Sequence, residues 1–296
     1  MKKAAISSLL LIALPAVVGL NGCGKDEDPP TAPNDNDPQT FQTFSGEFED
    51  VSELTAGMQE MTLLFIDSLL AGPPPGAPAA LQATITLTWV PSIDSWVCTA
   101  EESVPEDSMT YTIVDTVKFM HGVNIVQWPK EDSLTQVTSR LWLTAVGSGY
   151  NQGDGHQFVT IVKQGTAPDE ILVINGSGAL NVQFAYTDIV DTDTTTCSGT
   201  AAFTSTVTNV TFDYQNMWDQ YGQLNCPMSG IMYYTGSLSM TCAGATTGSL
   251  TGDWTISETF SDGMVDLVVS NGSYTWTVSY PCGPGAAASP RWVGHR

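Results

Sequence analysis

From residue 82 to residue 281 the chain is a succession of strand-like segments divided by short polar, Gly or Pro punctuation, with no helix-period stretch between them. Thr, Ser, Val, Tyr and Trp recur through it, the residue types that suit a pleated, half-buried surface. The segments read as strands near 82–90, 94–101, 109–118, 121–128, 135–146, 156–163, 170–189, 195–213, 227–241 and, with internal turns, 250–281. Parallel strands need a crossover, usually a helix, so this pattern selects antiparallel meanders.

The last three strands can be registered from their turns. Asp262-Gly263 and Asn271-Gly272 are both two-residue type I′ signals. Pairing Ser261 with Met264 brings Phe260 to Val265, Glu258 to Leu267 and Ile256 to Val269. Pairing Ser270 with Ser273 sets Val269 opposite Tyr274, Leu267 opposite Trp276 and Val265 opposite Val278. Every member of that face is apolar except Glu258. Desolvation would raise the pKa of a carboxylate held there, and shifted carboxylates are how sites acquire general acids and ligand-binding groups. The more ordinary alternative is that this face is partly wet, or that Glu258 bonds a backbone group or a Tyr hydroxyl near a rim. Glu258 and Trp276 are therefore candidate ligand contacts.

A single helix is expected ahead of the strands, over about 50–71. Asp50 is its N-cap and Glu53 the capping-box partner. Val51, Leu54, Met58, Met61, Phe65 and Leu69 recur at steps of three and four as one apolar stripe. Gly72 ends it, and Pro73, Pro74 and Pro75 forbid continuation. Such a stripe commonly packs onto a sheet. The expected fold is thus all-β with one N-terminal amphipathic helix. Its antiparallel meander is closed or half-closed around the helix, and a two-sheet β-sandwich is the alternative. This β-rich domain spans 41–282, followed by a C-terminal tail, 283–296.

At the start of the chain, Lys2 and Lys3 precede an apolar stretch over 4–20, the charge-then-hydrophobe order of a secretory signal. The stretch is shorter than the roughly 20 apolar residues of a membrane span. Its ending, Leu20, Asn21, Gly22, Cys23, resembles the lipobox of bacterial lipoproteins. The resemblance covers the first 23 residues. It implies that 1–22 are removed as a signal peptide and that Cys23 becomes the lipidated first residue. The chemistry agrees, since a small Gly22 gives a peptidase access and a thiol can carry a diacylglyceryl group. Each buried acyl CH2 contributes about 0.8 kcal/mol, so two or three chains anchor firmly. Gly24 resembles the outer-membrane sorting class, and Lys25, Asp26, Glu27 and Asp28 resemble the lysine-plus-acid export signal of surface lipoproteins in the Bacteroidetes group. The implied address is the bacterial outer membrane, on its outward or its periplasmic face. Residues 23–40 hold almost nothing apolar beyond the cysteine and read as a flexible tether.

Loss of Lys2 and Lys3 with the leader leaves seven cations against 31 carboxylates, a formal net charge of −24. Between Lys163 and Arg291 there is no Lys or Arg. Phosphate backbones are held mostly by those two residues, which excludes nucleic acid as a partner. The membrane is met through the lipid instead.

Assigning Cys23 to lipid leaves Cys98, Cys197, Cys226, Cys242 and Cys282, an odd number in a compartment where cysteines pair. Cys226 opens and Cys242 closes what reads as a hairpin turning near Thr235-Gly236-Ser237, which predicts that they bridge. Continuing the meander brings Cys282 toward Cys197 as the second pair and leaves Cys98 as the free thiol.

Catalytic chemistry is thin. His121, His156 and His295 have no second histidine at ligand spacing, and neither a Gly-x-Ser-x-Gly elbow nor a Cys-x-x-Cys pair occurs. Asp191 with Asp193, or Asn151 with Asp154, could offer oxygens to calcium, but neither fits the EF-hand spacing. No cofactor or metal is expected. Trp218, in a loop over 214–225 beside Tyr221, is a candidate contact surface, because aromatic faces stack on sugars and loops carry recognition. Three functional classes follow. The first is a non-enzymatic binding or surface-structural domain whose partner is a protein, a glycan or an apolar ligand. The second is a carrier enclosing an apolar ligand, with Glu258 inside a cavity of roughly 300–1,000 Å³. The third is a hydrolase whose non-local site gathers around His121 or His156.

Overall fold

The computed structural model describes residues 62–63, 66, 85–104, 109–127, 135–147, 152–165, 169–190, 193–214, 216–217, 225–244, 247–281 and 293–295. Among these residues thirteen strands make one antiparallel sheet. They are β1 (Ile85–Val90), β2 (Ser95–Val104), β3 (Met109–His121), β4 (Asn124–Val126), β5 (Gln136–Val146), β6 (Gln152–Gln164), β7 (Ile171–Val190), β8 (Asp193–Asp213), β9 (Ser229–Gly244), β10 (Gly248–Ser261), β11 (Met264–Ser270), β12 (Thr275–Pro281) and β13 (Val293–His295). Twelve follow one another in chain order across the sheet, and β4 alone stands off this path, paired to β3. It continues along β3 where β2 stops, and the indole N–H of Trp96 on β2 donates to the Gln127 carbonyl just past β4, at 2.8 Å.

The meander is as the segment pattern predicts, but two expectations are corrected. Among the described residues the strands form one sheet, which replaces the two-sheet sandwich. Among the described residues no pairing joins β1 to β13, so the sheet is open and not a closed barrel. The expected tail also contributes structure: Val293–His295 pairs with β12 as an edge strand. Three residues are too few to announce a strand by alternation.

Strand burial alternates residue by residue, wet on one face and dry on the other, as along β5 and β9. The dry face forms one core cluster reaching from Trp96 on β2 to Val278 on β12. A flat sheet of this width would leave that face in water, so the strands must twist and coil around their own inner side chains. A bulge in β8 helps β7 and β8, strands of 20 and 21 residues, to follow the bend. Around Asn209 β8 carries one residue more than either neighbour: Val207 to Val210 spans Gly176 to Ile174 of β7, and Thr208 to Thr211 spans Ile231 to Ser229 of β9. Asn209, in the left-handed region at φ +50°, donates its N–H to Asn175 Oδ1 at 2.9 Å, tying the bulge to β7.

Thr62, Leu63 and Ile66 are helical and buried, with Leu63 and Ile66 in the core cluster. The rest of the expected helix over 50–71, its whole stripe included, lies outside the described residues. The three described positions are not members of that stripe. Where apolar residues run consecutively, as over 63–66, periodicity does not select which arc faces the core.

The β10–β11 register is the predicted one, from Ser261 opposite Met264 to Ile256 opposite Val269. Asp262 and Gly263 both have positive φ, 50° and 75°, as a type I′ turn requires. The β11–β12 register is corrected by two residues: Val269 faces Trp276, Leu267 faces Val278 and Val265 faces Tyr280. Asn271 Oδ1 accepts the backbone N–H groups of Ser273 and Tyr274, at 3.1 and 2.9 Å, and so builds a four-residue connection. A shift of two keeps every side chain on its face.

Candidate functional site

Glu258 lies where periodicity predicts, on the dry face of β10 between Met232 and Leu267. It is buried, and the Tyr234 hydroxyl donates to its Oε2 at 3.2 Å. Trp276 is buried one row away, its ring 5.9 Å from Trp254 and 5.7 Å from Tyr274. The two candidate contacts are therefore neighbours in the packed core, on rungs that are not shared. Trp218, Tyr221, Cys23 and Cys282 lie outside the described residues. One flank of the Trp218 loop is held by Asn225, whose N–H donates to the Met217 carbonyl at 2.8 Å, with Met217 buried.

The predicted disulfides are corrected. Cys197 bridges Cys242, not Cys282, and Cys226 does not pair with Cys242. The expected hairpin at Thr235-Gly236-Ser237 does not form, because β9 runs unbroken from Ser229 to Gly244. Cys197 and Cys242 instead share a rung of the β8–β9 ladder, with Cα atoms 4.1 Å apart. Cys226 is disulfide-bonded, to none of Cys98, Cys197 or Cys242. Cys98 is the free, buried thiol, as expected.

A second buried carboxylate went unread. Asp115 on β3 sits at the parity of Ile113, Val117 and Phe119, so the argument that exposed Glu258 finds it too. Ser139 Oγ lies 2.9 Å from each Asp115 carboxylate oxygen, and Thr62 of the helix lies 3.3 Å from Ser139 Oγ. Burial pushes the Asp115 carboxyl up to about 6, against the opposing pull of the bonds from Ser139 and the backbone. Cys98 is its rung partner on β2, and burial, reinforced by Asp115, raises the thiol's pKa well above its ordinary value. Gln157 on β6 is a further buried polar residue, with neither side-chain amide atom paired to another protein group among the described residues. His156 points to the opposite, wet face, so it cannot complete a triad with Asp115 and Ser139.

That wet face carries the candidate site. A groove of about 640 Å³ crosses β7–β11, lined among others by Asn181, Thr204, Ser237, Asp253, Thr255 and Asn271. No Lys or Arg lines it. Beneath it Gly236 stands at the buried parity of Tyr234 and Leu238, between Phe203 and Trp254, where a Cβ would collide with the Ala202 carbonyl of β8. Asp154 accepts from the Asn181 amide at 3.2 Å and orients it.

An aromatic strip adjoins the groove. Trp142 on β5 and Phe158 on β6 are 41% and 39% exposed, with ring centroids 5.6 Å apart. His156 lies 5.0 Å from Phe158, and the Arg140 guanidinium is over that ring at 5.8 Å. Trp142 is opposite His156, and His156 is opposite Ala179, which lines the groove. Sequence reasoning missed both parts. The alternation in "SRLWLTAV" places Trp142 with Arg140 and away from Leu141 and Leu143, which is the signal that could have found the strip. Comparison with protein families, curated proteins and solved structures finds no match to this chain.

Proposed function

We propose that this protein is an exported, lipid-anchored binding protein of a bacterial outer membrane, held through Cys23 on the tether 23–40, with the wet face of its sheet as the binding surface. The observation that carries the reading is the groove on that face beside two half-exposed aromatic rings. Large rings left in water cost solvation free energy and mark contact surfaces when they cluster. The dry face, by contrast, is filled by side chains from β2 to β12, which favours recognition on the outside of the sheet over an enclosed apolar ligand. Binding and not turnover fits a face whose polar groups are mostly hydroxyls, amides and isolated carboxylates.

The anchoring half of the reading is tested by fractionating cells that produce wild-type protein or Cys23→Ala. Wild-type protein should sediment with outer membranes and incorporate labelled fatty acid, while Cys23→Ala should take up no label. Label in the variant would sink the assignment. Protease shaving of intact cells then separates outward from periplasmic display.

A further inference from the structure

We infer that the groove and the aromatic strip form one continuous site for a neutral polysaccharide chain. The inference rests on the reading of the wet face as the binding surface and names what binds there. Trp142, His156, Ala179, Thr204, Thr235 and Thr255 lie opposite one another in a single row across consecutive strands from β5 to β10. Five strand spacings separate the first from the last, about 24 Å along the row, a length that suits an oligomer and exceeds a single sugar. Ala179 puts only a methyl group between the ring end and the hydroxyl end, so nothing bulky interrupts the track.

The chemistry of the two ends is complementary to the two sides of a sugar. The C–H face of a pyranose is apolar and packs on an aromatic ring, which Trp142 and Phe158 offer half in water. The sugar's rim of hydroxyls both donates and accepts. Asp253 accepts from two such hydroxyls, Asn181 exchanges both kinds of bond, and the threonine hydroxyls do either. Asp253 beside the groove and Asp154 behind Asn181 bring negative charge, no cation lines the groove, and Arg140 is engaged over Phe158. A uronate, sulfate or phosphate polymer would meet carboxylates along the groove with no cation there, Arg140 standing only at the far, aromatic end, on a strongly acidic protein. The ligand is therefore an uncharged glycan.

Native affinity electrophoresis of the detergent-solubilised full-length protein tests this, in gels cast with mannan, dextran, mixed-linkage β-glucan, xylan or galactomannan, and with alginate as the acidic polymer. Retardation is expected in at least one neutral gel and not in alginate. Trp142→Ala and Asp253→Ala should each weaken it about tenfold or more at an unchanged melting temperature, while Val123→Ser, at an exposed turn far along β3, should leave it intact. No retardation in any neutral gel, retardation by alginate, or full retardation of Trp142→Ala would each overturn the inference. Cell adhesion lost on protease treatment in place of any polysaccharide binding would overturn it in favour of a protein partner. Anchoring through Cys23 is read out separately by fractionation, so a negative gel leaves that result standing.

Discussion

Tyr234 on β9 donates its hydroxyl to Glu258 Oε2 on β10 at 3.2 Å, inside a core where both residues are 3% exposed or less. The two are not rung partners: Tyr234 faces Ile256, and Glu258 faces Met232. The bond therefore runs diagonally along one face and ties two neighbouring rungs together. Met232 sulfur also accepts from that hydroxyl, at 3.3 Å. Removing the hydroxyl leaves a buried acceptor short of a partner, which costs about 1–3 kcal/mol. Tyr234→Phe should lower stability by that amount in denaturant titrations, and Tyr234→Phe with Glu258→Gln together should cost less than the sum of the two single changes. Strict additivity would show that the pair is not coupled.

Asp115 makes stability depend on pH in a defined direction. Its folded pKa of about 6 stands above its ordinary value of 3.8, so the native state holds the proton more tightly than the unfolded chain. The contribution is fully present below about pH 4 and is lost as pH rises through about 6. The difference in stability between wild type and Asp115→Asn should change by on the order of 3 kcal/mol across pH 4 to 7, in favour of the variant at the higher pH. Parallel curves would contradict a proton held at Asp115.

Cys98 is buried with its thiol pKa raised by burial and by Asp115, so the reactive thiolate is scarce and shielded. A maleimide reagent should leave native protein unlabelled at pH 7.5 and modify Cys98 once the chain is unfolded in guanidinium. Rapid labelling of the native protein would contradict this placement.

The Cys197–Cys242 bridge closes a loop with a sequence separation of 45. Loop-closure entropy on that scale gives about 4 kcal/mol as an upper value for what the bridge contributes. Non-reducing peptide maps should join the Cys197 and Cys242 peptides, and Cys197→Ala with Cys242→Ala should lose up to that much stability. A Cys226–Cys242 peptide would refute the pairing.

Gly263 occupies the left-handed region at φ +75°, where a Cβ is strained whatever space surrounds it. Gly263→Ala should cost about 1 kcal/mol, and Asp262→Gly much less, since glycine tolerates the turn that Asp262 adopts at φ +50°. Equal losses from both changes would argue against a type I′ turn.

The strands were legible because alternation is a two-residue signal carried by each segment alone. The β10–β11 register was legible for the same reason, from a two-residue turn and the parity of Phe260 and Glu258. The β11–β12 register was not, since Asn271 bonds its side chain to two backbone groups and lengthens a connection whose letters spell a shorter one. Asp115 and Trp142 were readable in principle, as one stands at buried parity and the other at exposed parity in clearly alternating strands.

What needed the folded chain is what depends on strand neighbours. Cys197 meets Cys242 because β8 lies against β9 along its length, and no local pattern encodes which rung a residue shares. The groove exists because Ala179, Ala202 and Ser237, from β7, β8 and β9, coincide on one face, and it meets Trp142 only through the row that runs by His156. Residue order along a strand is a local, pairwise matter of side chains and backbone. Which residues stand side by side across strands is set by the burial of one whole face, a sum over the entire sheet that no single segment contains.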